Sequence, residues 1–211
     1  MKQLLVATRN RGKIAEINAL LAGLVDRIFS AADFADFPET VEDGTTFEEN
    51  ALKKAREAAC FSGLPSLADD SGLVVDELGG RPGVYSARFA GDGANDAANN
   101  ARLLEECRGI PAERRQAAFV CVLAFVTPEG SERTFSGRVG GRILEHARGT
   151  GGFGYDPLFQ VDGSDRTMAE LELEQKNCVS HRAQAFRLFR EYLESEITRI
   201  AGPEEQHHVG K

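Results

Sequence analysis

Three polar side chains stand where an apolar run stops. Leu4-Leu5-Val6-Ala7 has strand character and ends at Thr8. The chain then passes through Asn10 and Lys13 into a helical spacing set by Ile14, Ile17, Leu20 and Leu21. A hydroxyl, an amide and an ammonium thus meet a helix N-terminus, where free backbone N–H groups and the positive end of the helix dipole favour an anion. That chemistry suits a polyphosphate. The segment lacks the GxxxxGK[ST] spacing of a Walker A loop, and by itself it also reads as an ordinary capped helix start with a solvated Lys.

Ala68-Asp69-Asp70-Ser71-Gly72 puts two carboxylates into an apolar strand that resumes at Leu73-Val74-Val75. Successive strand side chains point to opposite faces, so only one of the two can face a given pocket unless the strand bulges. A carboxylate in such a strand needs a cation, a hydrogen bond or a metal; the competing reading is a solvated Asp-Ser-Gly turn. Glu42, in Glu42-Asp43-Gly44, can share Mg²⁺ with one of the pair, because Mg²⁺ takes one or two carboxylates plus phosphate oxygens and waters. An ordinary acidic loop has the same composition. Of Lys53 and Lys54 in the next helix, one is expected to face solvent and the other to reach a phosphate.

The Gly149–Pro157 loop lets Phe153 and Tyr155 approach a ligand closely. A ring with the neighbouring Asp156 carboxylate fits a nucleobase clamp, and equally an aromatic plug over the core. Ser180 can cap the last helix. His181 and Arg182 then fall in its first turn, where the dipole disfavours cations, which points to a partner such as keto oxygens of a base. Lys176 lies just upstream.

The elements that must hold these groups follow from periodicity and punctuation. Strands are expected at 3–7, 27–31 and 66–75, and helices at 12–22, 46–61, 96–107 and 180–200. A hairpin joins 117–126 to 131–139 through Pro128-Glu129-Gly130. Thr46 and Glu49 form a capping-box pattern, and Ala183, Phe186, Phe189, Leu193 and Ile197 form the buried stripe of the last helix. Helices and strands alternate until the hairpin intervenes, so the expected class is α/β with a mixed sheet.

The 211 residues suit one domain, expected over 1–200, followed by a polar tail at 201–211 containing His207 and His208 that reads as frayed and non-functional. A net charge of −8 argues against a duplex nucleic-acid binder, and no apolar run reaches membrane-spanning length. Met1-Lys2-Gln3 runs directly into a strand, unlike a leader peptide. Cys60, Cys107, Cys121 and Cys178 form no CxxC pair and read as buried free thiols in a reducing cytoplasm.

In order along the chain stand Thr8-x-Asn10-x-x-Lys13, Thr46-Phe47-Glu48-Glu49-Asn50-Ala51, Ala68-Asp69-Asp70-Ser71-Gly72-Leu73, Pro82-Gly83-Val84-Tyr85-Ser86-Ala87-Arg88, Gly151-Gly152-Phe153-Gly154-Tyr155-Asp156-Pro157 and Ser180-His181-Arg182. Each is weak alone. The ordered set, across residues 2–195, resembles the inosine/xanthosine triphosphate pyrophosphatases, which remove non-standard purine nucleotides from the precursor pool. The resemblance implies a mixed, twisted central sheet flanked by helices, two lobes with a long substrate cleft, a homodimer and a Mg²⁺ requirement. It implies hydrolysis of ITP, dITP and XTP to the monophosphate and pyrophosphate. Carried over, Thr8, Asn10 and Lys13 hold the triphosphate with Lys54, and Arg9, Arg11 and Gly12 of the same turn count among the substrate contacts. Glu42 and Asp70 hold the metal, Asp70 is the base for the attacking water, and Ser71 touches substrate. Phe153 stacks on the base, Gly154, Tyr155 and Asp156 shape its pocket, and Lys176, His181 and Arg182 read the purine edge. The chain departs from the pattern in carrying Arg9 and Arg11 where small residues are frequent near position 9, and in lacking a Ser-Pro step before Lys176. Two other readings stay open: a pyrophosphatase for other modified nucleotides, and a nucleotide-binding regulator without turnover.

Overall fold

β1 (Gln3–Val6) buries Leu4, Leu5 and Val6 and lies parallel to β2 (Arg27–Ser30), the two being joined through α1 (Arg11–Leu20). On its other side β1 pairs in parallel with only the first two residues of β3 (Ser66–Val75). β3, β4 (Gln116–Val126), β5 (Glu132–Ile143) and β6 (Phe159–Val161) continue antiparallel, giving one six-stranded mixed sheet of order β2-β1-β3-β4-β5-β6. The computed structural model describes residues 1–201. Apart from Ala201, the tail with His207 and His208 lies outside the described residues.

Two features of β3 position the site. Its register against β4 is unbroken, with Asp69 opposite Leu123 and Asp70 opposite Val122. There is no bulge, so the two carboxylates leave the strand on opposite faces. β1 also stops early: Ala7 N–H donates to Leu67 O, and beyond Leu67 no β1 residue pairs with β3. The open edge from Ala68 onward lies at the carboxyl end of β1, where crevices form in sheets of this kind.

One face of the sheet is covered by α2 (Phe47–Ser62). Thr46 and Glu49 close the expected capping box, which is worth about 1 kcal/mol, and Gly63 ends the helix at φ 65°. Ala51, Ala55 and Ala59 pack on Ala68, Val122 and Ala124. These small side chains bring the helix close to β3 and set Asn50 and Lys54, one turn apart, beside it. The other face carries α1 and α5 (His181–Ala201), with Ile17, Leu21, Phe186, Phe189 and Leu193 on Leu67, Leu123 and Phe125. Gly137 on β5 permits this, because a Cβ there would collide with the His181 carbonyl. A third cluster joins Leu103 of α3 (Asp96–Glu106) to Leu73, Phe119, Tyr155 and Phe159, forming the second lobe.

Some expectations are corrected. α4 (Leu173–Val179) is a helix that the periodicity does not predict; Glu172 and Gln175, which form its capping box, are its local signal. β5 runs on to Ile143 rather than ending at Val139. Ile197 is 44% exposed, because the packed cluster ends one turn earlier, at Leu193. Cys60 and Cys178 are exposed, so only Cys107 and Cys121 are buried thiols; Cys60 falls off the alanine stripe of α2.

Candidate functional site

A cleft of about 300 Å³ opens between the lobes. At one end lies the turn after β1. Thr8 Oγ1 accepts from Asn10 N–H at 3.2 Å, and Asn10 Oδ1 accepts from Lys13 N–H at 3.2 Å, so Asn10 caps α1. Asn10 and Lys13 line the cleft. Arg9 is turned away, donating to Phe37 O at 2.8 Å. Arg11 and Gly12 begin the first turn of α1.

The two faces of β3 hold different charge networks. On the cleft face, the Lys13 ammonium sits 2.7 Å from Asp69 Oδ2, the Arg182 guanidinium 3.6 Å from the same oxygen, and Ser71 Oγ donates to it at 3.3 Å. Burial would raise the Asp69 carboxyl, but Lys13, Arg182 and Lys54 outweigh it and hold the group well below the usual carboxylate range. On the α2 face, Asp70 accepts from Asn50 Nδ2 at 3.1 Å and from Lys54 Nζ at 3.3 Å, and Lys54 also donates to Glu42 Oε1 at 2.9 Å. Burial raises Asp70 above its ordinary value, helped by Glu42 and opposed by Lys54 and Asn50. Burial also pulls Lys54 down, but Asp70, Asp69 and Glu42 more than compensate and hold the ammonium above its usual value. Lys53 faces solvent, paired with Asp43 at 2.6 Å. Glu42, Lys54 and Asp70 therefore lie around the open edge of β3 from the cleft, and do not line it.

The donor set at this edge fits a hard divalent cation. Glu42 Oε1 and Asp70 Oδ1 converge on one positively charged atom, the Lys54 Nζ. Arg88 steadies Glu42, donating to its backbone carbonyl at 3.1 Å and lying 3.7 Å from its carboxylate. Among the described residues no three His, Cys, Asp or Glu side chains form a metal cage. Two carboxylates at an open edge suit an ion whose other ligands are phosphate and water.

At the other end of the cleft Phe153 is 41% exposed, with Lys176 Nζ 4.9 Å and the Arg182 guanidinium carbon 5.7 Å from its ring centre. Asp156 is buried, and its Oδ2 accepts from both Lys176 Nζ at 2.7 Å and Phe153 N–H at 3.1 Å. Burial raises this carboxyl against the pull of Lys176. Asp156 thus fixes the loop and aims Lys176. Gly154, at φ 62°, donates to Asp96 Oδ2 at 2.6 Å and accepts from Asn100 at 2.9 Å. Tyr155 is a plug rather than a stacking ring: it is buried, and its hydroxyl donates to Ser86 O at 2.8 Å. Ser180 caps α5 by accepting from Ala183 N–H at 3.1 Å. His181 stacks on Phe119 with ring centres 5.0 Å apart and planes 16° apart. Burial, then Arg182 and Lys176, keep its pKa well below 6.5, so the ring is neutral at pH 7. Its Nδ1 is buried at the cleft with no hydrogen-bond partner among the described residues.

The structure adds residues that the sequence reading left unassigned. Asn50 stood inside a recognised motif, but only the packing of α2 on β3 turns its amide to Asp70. Arg88 closed another motif without a role, and neither Asp96 nor Phe119 carried any local signal.

Known proteins resemble this chain in sequence and in fold. A dITP/XTP pyrophosphatase of Geobacter sulfurreducens is 60% identical over 193 residues, covering 92% of this chain and 97% of that protein. One of Desulforamulus reducens is 49% identical, covering 90% of this chain and 95% of its own. The solved structure of a HAM1 protein from Coxiella burnetii superposes with a TM-score of 0.86 at 39% identity, covering 92% of this chain and all of the other (100%). A family model described as the Ham1 family matches residues 4–192, which take in all of the sheet but the first residue of β1 and the whole cleft, and the chain belongs to that family.

Proposed function

We propose that this protein hydrolyses non-standard purine nucleoside triphosphates (ITP, dITP and XTP) to the nucleoside monophosphate and pyrophosphate, keeping such nucleotides out of DNA and RNA. The relatives' activity and the shared fold support the reading. The single observation that carries it is the convergence of Glu42 and Asp70 on one cationic position, around the open edge of β3 from a cleft whose far end holds the buried Nδ1 of His181.

The triphosphate spans the open edge of β3. The first turn of α1 and Lys13 take its phosphates on the cleft side, and Lys54 takes them on the α2 side. Water attacks the α-phosphorus, the bond from that phosphorus to the bridging oxygen breaks, and pyrophosphate leaves. Asp70 takes the water proton. Burial makes it a stronger base than an exposed carboxylate, while Lys54 keeps it ionised. Mg²⁺ bound by Glu42 and Asp70 would neutralise triphosphate charge. Phe153 stacks on the purine. The neutral His181, carrying its proton on Nδ1, and Arg182 donate to a 6-keto oxygen, and an adenine amino group leaves those donors unpaired.

A homodimeric, cytoplasmic enzyme with one catalytic domain at 1–200 belongs to the same reading, and the net charge of −8 supports action on free nucleotides rather than on nucleic acid. The decisive assay is pyrophosphate release from ITP, dITP, XTP, GTP and ATP in Mg²⁺, with and without EDTA. Fast, EDTA-sensitive release from the first three is expected. Binding without release would favour a regulator, and release from other modified nucleotides alone would favour a different base pocket.

A further inference from the structure

We propose that Asp69 is a positioning residue that links the two ends of the cleft, holding the phosphate-end Lys13 and the base-end Arg182 on one carboxylate oxygen so that each sets the other's availability to substrate. The proposal rests on the reading of the cleft as a purine nucleoside triphosphate site. Asp69 Oδ2 lies 2.7 Å from Lys13 and 3.6 Å from Arg182, and the side chains of Asp69 and Arg182 are each 3% exposed. Lys13 and Arg182 both line the cleft, one from α1 and the other from α5. Ser71 closes the network, donating to Asp69 at 3.3 Å and accepting from Arg182 at 3.3 Å. Asp70 does not share this load, because it leaves the strand on the other face.

One buried negative charge held by two cations is shared between them. If either of these two contacting cations is removed, more of the charge falls on the other and draws it away from ligand, Lys54 acting only from the far side of the strand. The two cations therefore cannot act independently while Asp69 is ionised. A phosphate therefore competes with Asp69 for Lys13, and Arg182, by carrying part of the Asp69 charge, lets Lys13 be released to the phosphate.

Two measurements test the link. In the first, Lys13→Met and Arg182→Met are made singly and together, and kcat/KM for ITP is measured. With Asp69 present, the combined loss should fall short of the product of the single losses by about tenfold. In the Asp69→Asn background the two losses should multiply. Multiplication with Asp69 present, or the same shortfall without it, overturns the link. The second needs neither turnover nor a base: inorganic tripolyphosphate is titrated calorimetrically. Arg182→Met should weaken its binding roughly tenfold with Asp69 present and by less than about threefold in Asp69→Asn. Equal weakening in both backgrounds overturns the proposal. If tripolyphosphate shows the Asp69-dependent effect while the wild-type protein releases no pyrophosphate from ITP, the link stands and the functional reading falls.

Discussion

Asp69 and Asp70 are neighbours in one strand with the same side chain, yet they live in opposite electrostatic worlds. Asp69 faces Lys13 and Arg182 and is held ionised far below the ordinary carboxylate range; Asp70 faces one ammonium and one amide, next to Glu42, and is raised. The pleat of β3 alone separates them. The difference teaches that a carboxylate fully paired with cations is a poor proton acceptor and a good scaffold, whereas one left short of positive charge is a usable base.

The largest break in this comparison comes from turnover. Asp70→Asn should keep the fold and lose about 10³-fold in kcat, with pyrophosphate release as the measurement; near-normal release would remove Asp70 from the base role. Stability should separate the pair with opposite signs. Asp69→Asn leaves Lys13 and Arg182 without their shared counter-charge and should cost about 3 kcal/mol in denaturant unfolding at neutral pH. Asp70→Asn should cost nothing or stabilise, because folding raises its pKa and so penalises its charge. The pH dependence carries the same signs. Asp69 contributes stability above the ordinary carboxylate value of 3.8, lost as pH falls below it. The Asp70 penalty disappears as pH falls through its raised value. Parallel unfolding curves for the two variants would dissolve the distinction.

At the base end, His181→Ala should lower the ITP-to-ATP ratio of kcat/KM by roughly tenfold, and an unchanged ratio would move selection to Arg182 or Lys176. His181 also adds a stability limb. Its folded pKa lies well below 6.5, so the unfolded chain binds the proton first, and stability should decline as pH drops below 6.5. His181→Gln should flatten that decline in thermal melts. The smallest effect is expected at Lys53, whose partner Asp43 is solvent-exposed: Lys53→Ala should leave kcat/KM within about threefold of wild type, whereas Lys54→Ala should not.

Much of the fold is legible in the sequence. Thr46 and Glu49 cap α2 as their spacing predicts, Asn10 and Ser180 start α1 and α5, and Ser66 to Val75 form one strand through both acids. These signals are local, carried within a turn or by alternation along a strand. α4 escaped because its capping box sits on a seven-residue helix with little periodicity to read. In the site, the residue types and their order were readable and a plug was one of two readings of the glycine loop, but that Tyr155 is the plugging ring and Asp156 the partner of Lys176 was not, since both depend on how that loop folds back on the second lobe.

The sequence by itself determined where most of the strands and helices begin, which polar groups stand at their ends, and that the two acids at 69–70 face opposite ways if their strand is unbulged. Only the tertiary structure decided which acid meets which cations. Lys13 and Asp69 are 56 residues apart, and Arg182 reaches Ser71 across 111. Contacts at such separations exist only once the sheet has brought α1, α2 and α5 against β3. The burial that shifts each carboxyl is a property of that packing, not of the local chain.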